Sequence, residues 1–208
     1  MGAMELQGSL LEVADAELEP YGRQVRRTRL SPGAWVDLRP AWLVGGDLFR
    51  ALVDDVPWRA ERREMYDRVV DVPRLTKFYA EGEPLPHPML ATAMAELTEH
   101  YRAELGEPFV TAGCCYYRDG RDSVAWHGDT IGRSRTTDTM VAICSLGADR
   151  KLMLRPRGGG PSRSFVLGHG DVLVMGGNCQ RTWEHCVPKS SRPIGPRISV
   201  QYRVRGVR

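Results

Sequence analysis

Trp126-His127-Gly128-Asp129 is the stretch around which the rest of this sequence is organised. Side chains at positions i and i+2 of a β-strand project from the same face. A strand here would point His127 and Asp129 into one space, and Gly128 would leave that space uncrowded. The stretch therefore predicts a strand that ends beside a paired imidazole and carboxylate.

A third ligand would complete a metal site, and the best candidate is His185, which ends a short apolar strand before the turn at Pro188. The other histidines are placed less well: His87 lies among prolines, His100 in a helix and His169 in a glycine turn. Two histidines and one carboxylate with open coordination positions are the ligands expected of a non-haem Fe(II) oxygenase. A lone histidine on an apolar strand is more often structural, and His-x-Asp occurs by chance. The prediction depends on the two segments occurring together.

The last strand, Arg197-Ile198-Ser199-Val200-Gln201-Tyr202-Arg203, alternates polar and apolar residues. A dicarboxylate cosubstrate needs a cation for its remote carboxylate, and arginine is the usual bidentate partner. Arg197 and Arg203 would lie roughly 20 Å apart along an extended strand, so we expect them to have separate functions. The alternative is an amphipathic strand with its polar face in water.

The chain has 208 residues, which favours one domain with a substantial core. We expect an N-terminal arm over residues 1–30, with 1–3 as an expression scar, and a single domain over 31–208. The apolar runs are too short to cross a bilayer. The five cysteines form no spaced disulfide framework, and no signal peptide is present. These features predict a cytoplasmic protein with no membrane partner. We also expect a monomer, although none of these features determines the oligomeric state.

The region after Pro108 reads as short strands separated by Gly and Asp turns. We predict strands at 109–117, 123–129, 139–146, 151–155, 164–167, 171–175, 182–185 and 197–204. Before Pro108 we predict strands at 24–30, 34–43 and 64–70 and helices at 48–53, with Asp47 as its N-cap, and at 89–105, ended by Gly106. The pattern indicates an α+β, mainly β protein: a double-stranded β-helix, or jelly roll, with flanking N-terminal helices.

A proline-rich loop is predicted at 74–88, where the basic and aromatic residues Arg74, Phe78 and Tyr79 interleave. Such a loop could cover a pocket and stack on a planar substrate, or its aromatic residues could pack into the core. The basic residues are nearly all arginine, with clusters at 23–29 and 155–163. Guanidinium groups suit phosphate oxygens, although the base composition of the genome explains an arginine bias equally well.

Three ordered motifs, spanning roughly residues 70–204, resemble those of the AlkB family. The segment 117–129 resembles its Tyr-x-x-Gly-x-Asp…His-x-Asp signature, and the segment 175–189 resembles the one that carries its distal histidine. Arg197-x-Ser199-x-Gln201-x-Arg203 resembles its Arg-x-Asn-x-Thr-x-Arg ending. Members of this family are Fe(II)- and 2-oxoglutarate-dependent dioxygenases on a jelly roll, and many reverse the alkylation of nucleic-acid bases.

The resemblance implies a function for each matching position, with Fe(II), 2-oxoglutarate and O2 as cofactors. The implied metal ligands are His127, Asp129 and His185. The implied cosubstrate residues are Tyr117, Arg197, Ser199, Gln201 and Arg203. Arg197 and Tyr117 would bind the remote carboxylate, and Arg203 would orient Asp129 near the metal. Candidate substrate-binding residues are Arg74, Phe78, Tyr79, Trp126 and Ile131. No catalytic residue is expected beyond the metal ligands.

The implied reaction is oxidative decarboxylation of 2-oxoglutarate with hydroxylation of an N-alkyl carbon, which leaves as an aldehyde and restores the base. The expected partner is alkylated DNA or RNA, which places the protein in DNA repair. Departures from the pattern motivate a second hypothesis. Cys115 stands where the family usually has Asn, and Ile131 where base-repairing members commonly carry an acid.

The loop after Arg74 also reads as short for a substrate lid. A small molecule or a protein side chain is therefore an alternative substrate. A non-catalytic nucleic-acid-binding module that uses the arginine clusters is a third hypothesis.

Overall fold

The computed structural model describes residues 18–44, 47–65, 68–132 and 135–207. The helices in these residues are α1 (Leu48–Asp55), α2 (Pro88–His100), α3 (Arg102–Leu105) and α4 (Cys179–Thr182). The first strands are β1 (Arg26–Ser31), β2 (Ala34–Arg39), β3 (Arg59–Met65), β4 (Arg68–Tyr79), β5 (Phe109–Tyr117) and β6 (Val124–His127). The later strands are β7 (Val141–Gly147), β8 (Arg150–Pro156), β9 (Arg163–Leu167), β10 (Val172–Gly177), β11 (Trp183–Val187) and β12 (Arg197–Val204).

Two antiparallel sheets form a jelly roll, so the predicted fold class is confirmed. The large sheet has the order β1-β2-β10-β7-β12-β5-β4-β3, and the small sheet has the order β6-β11-β8-β9. Strand alternation divides the core into two layers. In β7, Val141 and Ile143 pack between the sheets, whereas Ala142 and Cys144 pack on the other face, against the layer that contains the helices. The interior between the sheets is the space into which the predicted ligands would point.

The strands predicted after Pro108 agree with the structure to within a few residues. The long helix predicted at 89–105 is also present, but it is interrupted at Tyr101, so that α2 and α3 are separate elements. Gly106 ends α3 with a φ of 74°, a left-handed conformation that glycine adopts without strain. Asp47 precedes α1 as predicted, but its side chain makes no capping hydrogen bond, and the helix extends to Asp55.

The end of the predicted N-terminal arm, residues 1–30, includes the strand predicted at 24–30. β1 begins at Arg26 and pairs with β2 at the edge of the large sheet, which confirms that strand. Tyr21 is also buried, with its ring 4.9 Å from that of Trp42 and packed against the core. Burial of this aromatic ring attaches the segment to the domain, since fully burying such a side chain contributes about 1.5–3 kcal/mol. Residues 1–17, which include the predicted scar, lie outside the described residues.

Part of the region predicted as a strand at 64–70 and a loop at 74–88 is a β-hairpin of β3 and β4, whereas residues 80–87 are irregular as predicted. The predicted strand covers the end of β3 and the start of β4, and residues 75–79, within the predicted loop, belong to β4 and pair with β5. Pro73 is the reason that the sequence predicts no strand here, because proline within a stretch of sequence argues against a strand. Here it lies opposite a register shift between Ala60 and Arg62, where no ladder hydrogen bond is needed from it. The hairpin extends the large sheet, and the short lid after Arg74 stays a prediction.

No helix in the described ranges is long and apolar enough to span a membrane. All five cysteines lie in these ranges and are free thiols, and Cys114, Cys144, Cys179 and Cys186 are buried.

Candidate metal and cosubstrate site

His127, Asp129 and His185 meet at one point between the sheets. His127 ends β6 and lies directly across the ladder from His185 on β11. Their ring centroids are 4.2 Å apart, and Nε2 of His127 lies 3.8 Å from Oδ1 of Asp129. One ligand atom from each residue lies within 4.8 Å of the others. Three such atoms, drawn from two strands and the loop that follows β6, have the spacing and the donor types of a two-histidine, one-carboxylate metal site.

Neighbouring groups orient His127 and Asp129. Nδ1 of His127 lies 2.9 Å from the carbonyl oxygen of Ala125, so a proton on Nδ1 leaves Nε2 as the ligand atom. Arg203 donates from Nε to Oδ2 of Asp129 at 2.9 Å. The backbone N–H of Asp129 donates to Oε1 of Gln180 at 3.1 Å. One carboxylate oxygen of Asp129 is thus engaged by Arg203, and the other faces the histidines.

The electrostatics of the site favour the protonation states that a metal requires. Burial alone would raise the pKa of Asp129, but Arg203 and the two histidines lower it well below its usual range. Burial and the neighbouring His127 lower the pKa of His185 to about 3. A carboxylate and a neutral imidazole are the ligand forms that bind divalent cations.

Arg197 and Tyr117 form the deep end of the same interior. Arg197 is 1% exposed and donates from Nε to Oγ of Ser145 at 2.8 Å. Its guanidinium lies 5.3 Å from the ring centroid of Tyr117, and burial raises the pKa of that phenol to about 12. Nη1 of Arg197 is buried and has no hydrogen-bond partner among the described residues. A buried, unpartnered guanidinium nitrogen fits a ligand carboxylate, since leaving it unpaired is costly.

The polar face of β12 lies in the protein interior and not in water, which excludes the amphipathic-surface alternative. Arg197, Ser199 and Gln201 are buried, and the side chain of Arg203 is 13% exposed. Arg203 contacts Asp129. Arg197, six residues earlier on the same strand, contacts Ser145. The two arginines therefore serve different parts of the site, as their spacing predicts.

A cavity of about 440 Å³, which includes its open mouth, connects the metal-ligand set to Arg197. Its polar wall contains all the predicted cosubstrate residues, and its apolar wall comes from both sheets. The lining residues are Arg74, Cys115, Tyr117, Val124, His127, Ile143, Leu152, His185, Val187, Arg197, Ser199, Gln201 and Arg203. The cavity lies in the space between the ligand set and the unpartnered guanidinium.

Cys115 and Arg74 make one wall of this cavity. Arg74 donates from Nε to Sγ of Cys115 at 3.4 Å and from Nη1 to the carbonyl oxygen of Ser123 at 3.2 Å. Sγ of Cys115 lies 3.8 Å from Oε1 of Gln201, and the amide of Gln201 donates to Ser199. Three of the positions that depart from the family pattern, Cys115, Ser199 and Gln201, are therefore adjacent and form one connected group.

The remaining predicted substrate residues divide between two locations. Phe78 is 39% exposed and pairs with Gly113, so it lies on the same sheet face as the cosubstrate residues. Tyr79 faces the other way, is 4% exposed and packs in the helix-side core, which contradicts its prediction as a substrate residue. The physical reason is strand alternation: adjacent residues of β4 cannot share a face.

Trp126 and Ile131 also lie outside the cavity lining. Trp126 stacks against Arg155, with the guanidinium 4.3 Å from the ring centroid. Arg155 lies next to Leu154 on β8 and therefore points away from the interior that Leu154 fills. Ile131 is 68% exposed, beyond the metal-ligand loop. The structure therefore does not bring either side chain to the metal-ligand set.

Gln180 and Ser145 are site residues that the sequence pattern does not reveal. Gln180 is 1% exposed and contacts the backbone of Asp129, 51 residues earlier in the chain. Ser145 supports Arg197 from the neighbouring strand β7. No local signal marks either residue, because each acts through a contact that only the assembled sheets create.

Comparisons with known proteins agree with this geometry. Residues 70–205 match the family model described as the 2OG-Fe(II) oxygenase superfamily. The chain is 32% identical over 215 residues to human alpha-ketoglutarate-dependent dioxygenase alkB homolog 3, covering 92% of this chain and 70% of that protein. It is 30% identical over 111 residues to DNA oxidative demethylase ALKBH2 of Arabidopsis thaliana, which covers 42% of this chain and 35% of that protein. The structure of OsALKBH1 superposes with a TM-score of 0.58 at 15% identity, over 86% of this chain and 99% of that one, a likeness of fold alone.

Proposed function

This chain belongs to the AlkB family of Fe(II)- and 2-oxoglutarate-dependent dioxygenases, and we propose that it removes alkyl groups from N-alkylated bases in DNA or RNA. One observation carries the proposal: the two histidines of a two-histidine, one-carboxylate set line the same cavity as a buried, unpartnered guanidinium. The similarity to alkB homolog 3 and to a DNA oxidative demethylase supports the choice of substrate.

The cofactors of the family are Fe(II), 2-oxoglutarate and O2, and the residues present fit them. His127, Asp129 and His185 would hold the iron, because their ligand atoms converge within 4.8 Å. When bound, Fe(II), 2-oxoglutarate and O2 supply oxidation of the N-alkyl carbon, which then leaves the base as an aldehyde.

Arg197 and Tyr117 would anchor the remote carboxylate of the cosubstrate at the deep end of the cavity. Nη1 of Arg197 is the donor that lacks a protein partner among the described residues, and a charge-assisted hydrogen bond would satisfy it. Arg203 holds Asp129 by its Oδ2, which fixes the second oxygen toward the histidines. Ser199 and Gln201 line the wall between the two arginines.

The apolar wall of the cavity keeps water from the reacting groups. Val124 and Val187 come from the small sheet, where they pair across β6 and β11, and Ile143 comes from the large sheet. An apolar wall offers water no hydrogen-bonding partner, so it excludes the water that would compete with the substrate.

Arg74 lines the cavity from β4, the second strand of the β3–β4 hairpin. Phe78 projects from the metal-facing side of β4 and is the aromatic residue placed to stack on an extruded base. Arg74 adds a positive charge to the cavity wall, supported by the carbonyl oxygen of Ser123. Both residues were predicted from the sequence as substrate contacts, and they remain part of this proposal.

Turnover of an N-methylated oligonucleotide tests the proposal directly. Purified protein with Fe(II), ascorbate and 2-oxoglutarate should release succinate and formaldehyde in equal amounts only when the oligonucleotide is methylated. Asp129→Ala should abolish both products, whereas Arg121→Met, which alters an exposed ion pair with Asp119, should not. Cosubstrate turnover that ignores every methylated oligonucleotide would refute the substrate assignment.

The alternative substrate, a small molecule or a protein side chain, rests on Ile131, an exposed apolar residue two positions after Asp129. The other reason for it is the loop after Arg74, which reads as short for a substrate lid. Parallel assays with metabolites and peptides distinguish the two substrates. A non-catalytic module would show salt-sensitive nucleic-acid binding that survives His127→Ala, with no Fe(II)-dependent turnover.

Within the same proposal we place the protein in DNA repair, as a monomer in the cytoplasm. The five free thiols support a reducing compartment. Size-exclusion chromatography with light scattering tests the monomer, and localisation of the tagged protein tests the compartment.

A further inference from the structure

We propose that Gln180 and Arg157 form a latch that positions Asp129 for metal binding before any metal arrives. Neither residue touches the ligand atoms, so both are positioning residues. The inference rests on the proposed function, because it concerns the same metal centre. It adds to that function an explanation of how two distant parts of the sequence are held in register.

Gln180 connects the two segments that carry ligands. It lies on the short helix α4, five residues before His185, and its Oε1 accepts the backbone N–H of Asp129 at 3.1 Å. Its Nε2 lies 3.6 Å from Sδ of Met175, which fixes the orientation of the amide. The side chain is 1% exposed, so no water can replace it as the acceptor. One amide therefore ties the His127-Gly128-Asp129 loop to the His185 strand.

The guanidinium of Arg157 packs against Gly128 and is the second part of the latch. A Cβ at position 128 would lie 2.1 Å from Nη2 of Arg157 and 3.0 Å from the carbonyl oxygen of Gln180. The same Nη2 donates to that carbonyl oxygen at 3.2 Å. Nη1 of Arg157 lies 4.0 Å from a carboxylate oxygen of Glu184, the neighbour of His185. The guanidinium thus occupies the space of a side chain at 128 and contacts both ligand segments.

The consequence is a preorganised ligand set. Without an acceptor at position 180, the N–H of the buried Asp129 would lose this hydrogen bond, and the loss favours conformations that turn the loop toward water. Turning the loop would carry the carboxylate away from the histidines. Contacts that orient metal ligands in this way typically change metal affinity by about 10- to 100-fold when they are removed.

Metal affinity without turnover is the test. Calorimetry measures Mn(II) binding, and the visible spectrum of the Co(II) protein measures Co(II) binding. Two variants are compared with wild type: Gln180→Met keeps the side-chain length but loses the acceptor, and Gln180→Glu keeps the acceptor oxygen. Gln180→Met should raise the Kd for Mn(II) about 10- to 100-fold, and Gln180→Glu should restore it to within about threefold. Arg181→Met, on the same helix but in an exposed ion pair with Asp138, is the matched control and should bind like wild type.

A double-mutant cycle tests the part played by Arg157 even if Gln180→Met fails to fold. Gly128→Ala should weaken Mn(II) binding because the new Cβ displaces Arg157 and presses on the Gln180 carbonyl. The same change should cost less in an Arg157→Ala background, where part of the clash is absent. Strictly additive effects would overturn the contribution of Arg157.

Two outcomes would overturn the latch while leaving the proposed function intact. The first is wild-type Mn(II) affinity in Gln180→Met, whether or not its unfolding temperature falls, and the second is affinity as weak in Gln180→Glu as in Gln180→Met. Wild-type protein that binds neither Mn(II) nor Co(II) would instead refute the metal site on which the proposed function depends.

Discussion

Replacing Arg197 by Met should separate cosubstrate binding from folding. The guanidinium is 1% exposed, and its Nη1 has no partner among the described residues, so the folded protein carries a buried charge that its own groups satisfy incompletely. Burial lowers the pKa of Arg197, which reports the same desolvation penalty. Methionine keeps a similar length and apolar volume without the charge.

The two effects differ in sign. Removing one member of a buried, hydrogen-bonded charge pair costs about 2–5 kcal/mol of binding free energy, which at about 1.4 kcal/mol per tenfold raises the Kd for 2-oxoglutarate roughly 30- to 4,000-fold. In the free protein, the variant loses the hydrogen bond to Ser145 but also loses a desolvation penalty of several kcal/mol. We therefore expect the free energy of unfolding to stay the same or to rise.

Thermal unfolding with Mn(II), with and without 2-oxoglutarate, measures both quantities in one experiment. Wild type should gain stability on adding 2-oxoglutarate, as linkage requires, whereas Arg197→Met should gain none at the same concentration. Arg121→Met is the control, since its exposed ion pair with Asp119 lies outside the cavity lining. A variant that unfolds more easily yet retains full 2-oxoglutarate stabilisation would refute the assignment of Arg197 as the carboxylate anchor.

Three further predictions follow from the same contacts. The pKa of His185 is lowered to about 3 in the metal-free fold, so the unfolded chain takes up a proton that this fold does not. The free energy of unfolding should therefore fall by about 1.4 kcal/mol per pH unit as the pH drops from about 6.5 toward 3. Urea unfolding in EDTA measures this slope, which should be absent in His185→Gln. Phe78→Ala should reduce turnover of a methylated oligonucleotide about tenfold with little change in unfolding free energy. Tyr79→Ala should instead lower the free energy of unfolding by about 3–5 kcal/mol. Equal behaviour of the two variants in activity and urea assays would contradict the placement of these side chains on opposite faces of β4. Tyr202→Phe removes the buried hydrogen bond to the Leu90 carbonyl and should cost about 1 kcal/mol in urea unfolding, with turnover per folded molecule unchanged.

Local pattern was sufficient for most of the strands. Alternation in β12 predicts both its bounds and the shared face of Arg197 and Arg203, because the side-chain period of a strand is two and the burial of one face requires it. The β3–β4 hairpin escaped prediction because Pro73 resembles a strand breaker, and only the register shift opposite it makes proline acceptable. The sequence does not separate Tyr79 from Phe78 for a related reason. The proline-rich stretch indicates a loop, and side chains alternate between two faces only within a strand.

The sequence by itself determined the ligand types, their order and the jelly-roll class, since His-x-Asp spacing and strand period are local properties of the chain. Only the tertiary structure decided what surrounds those ligands. The Gln180 amide meets the Asp129 backbone, and Ser145 meets Arg197, through contacts between segments about 50 residues apart. Such contacts depend on how two sheets and a short helix pack together, and no periodicity along the chain encodes that packing.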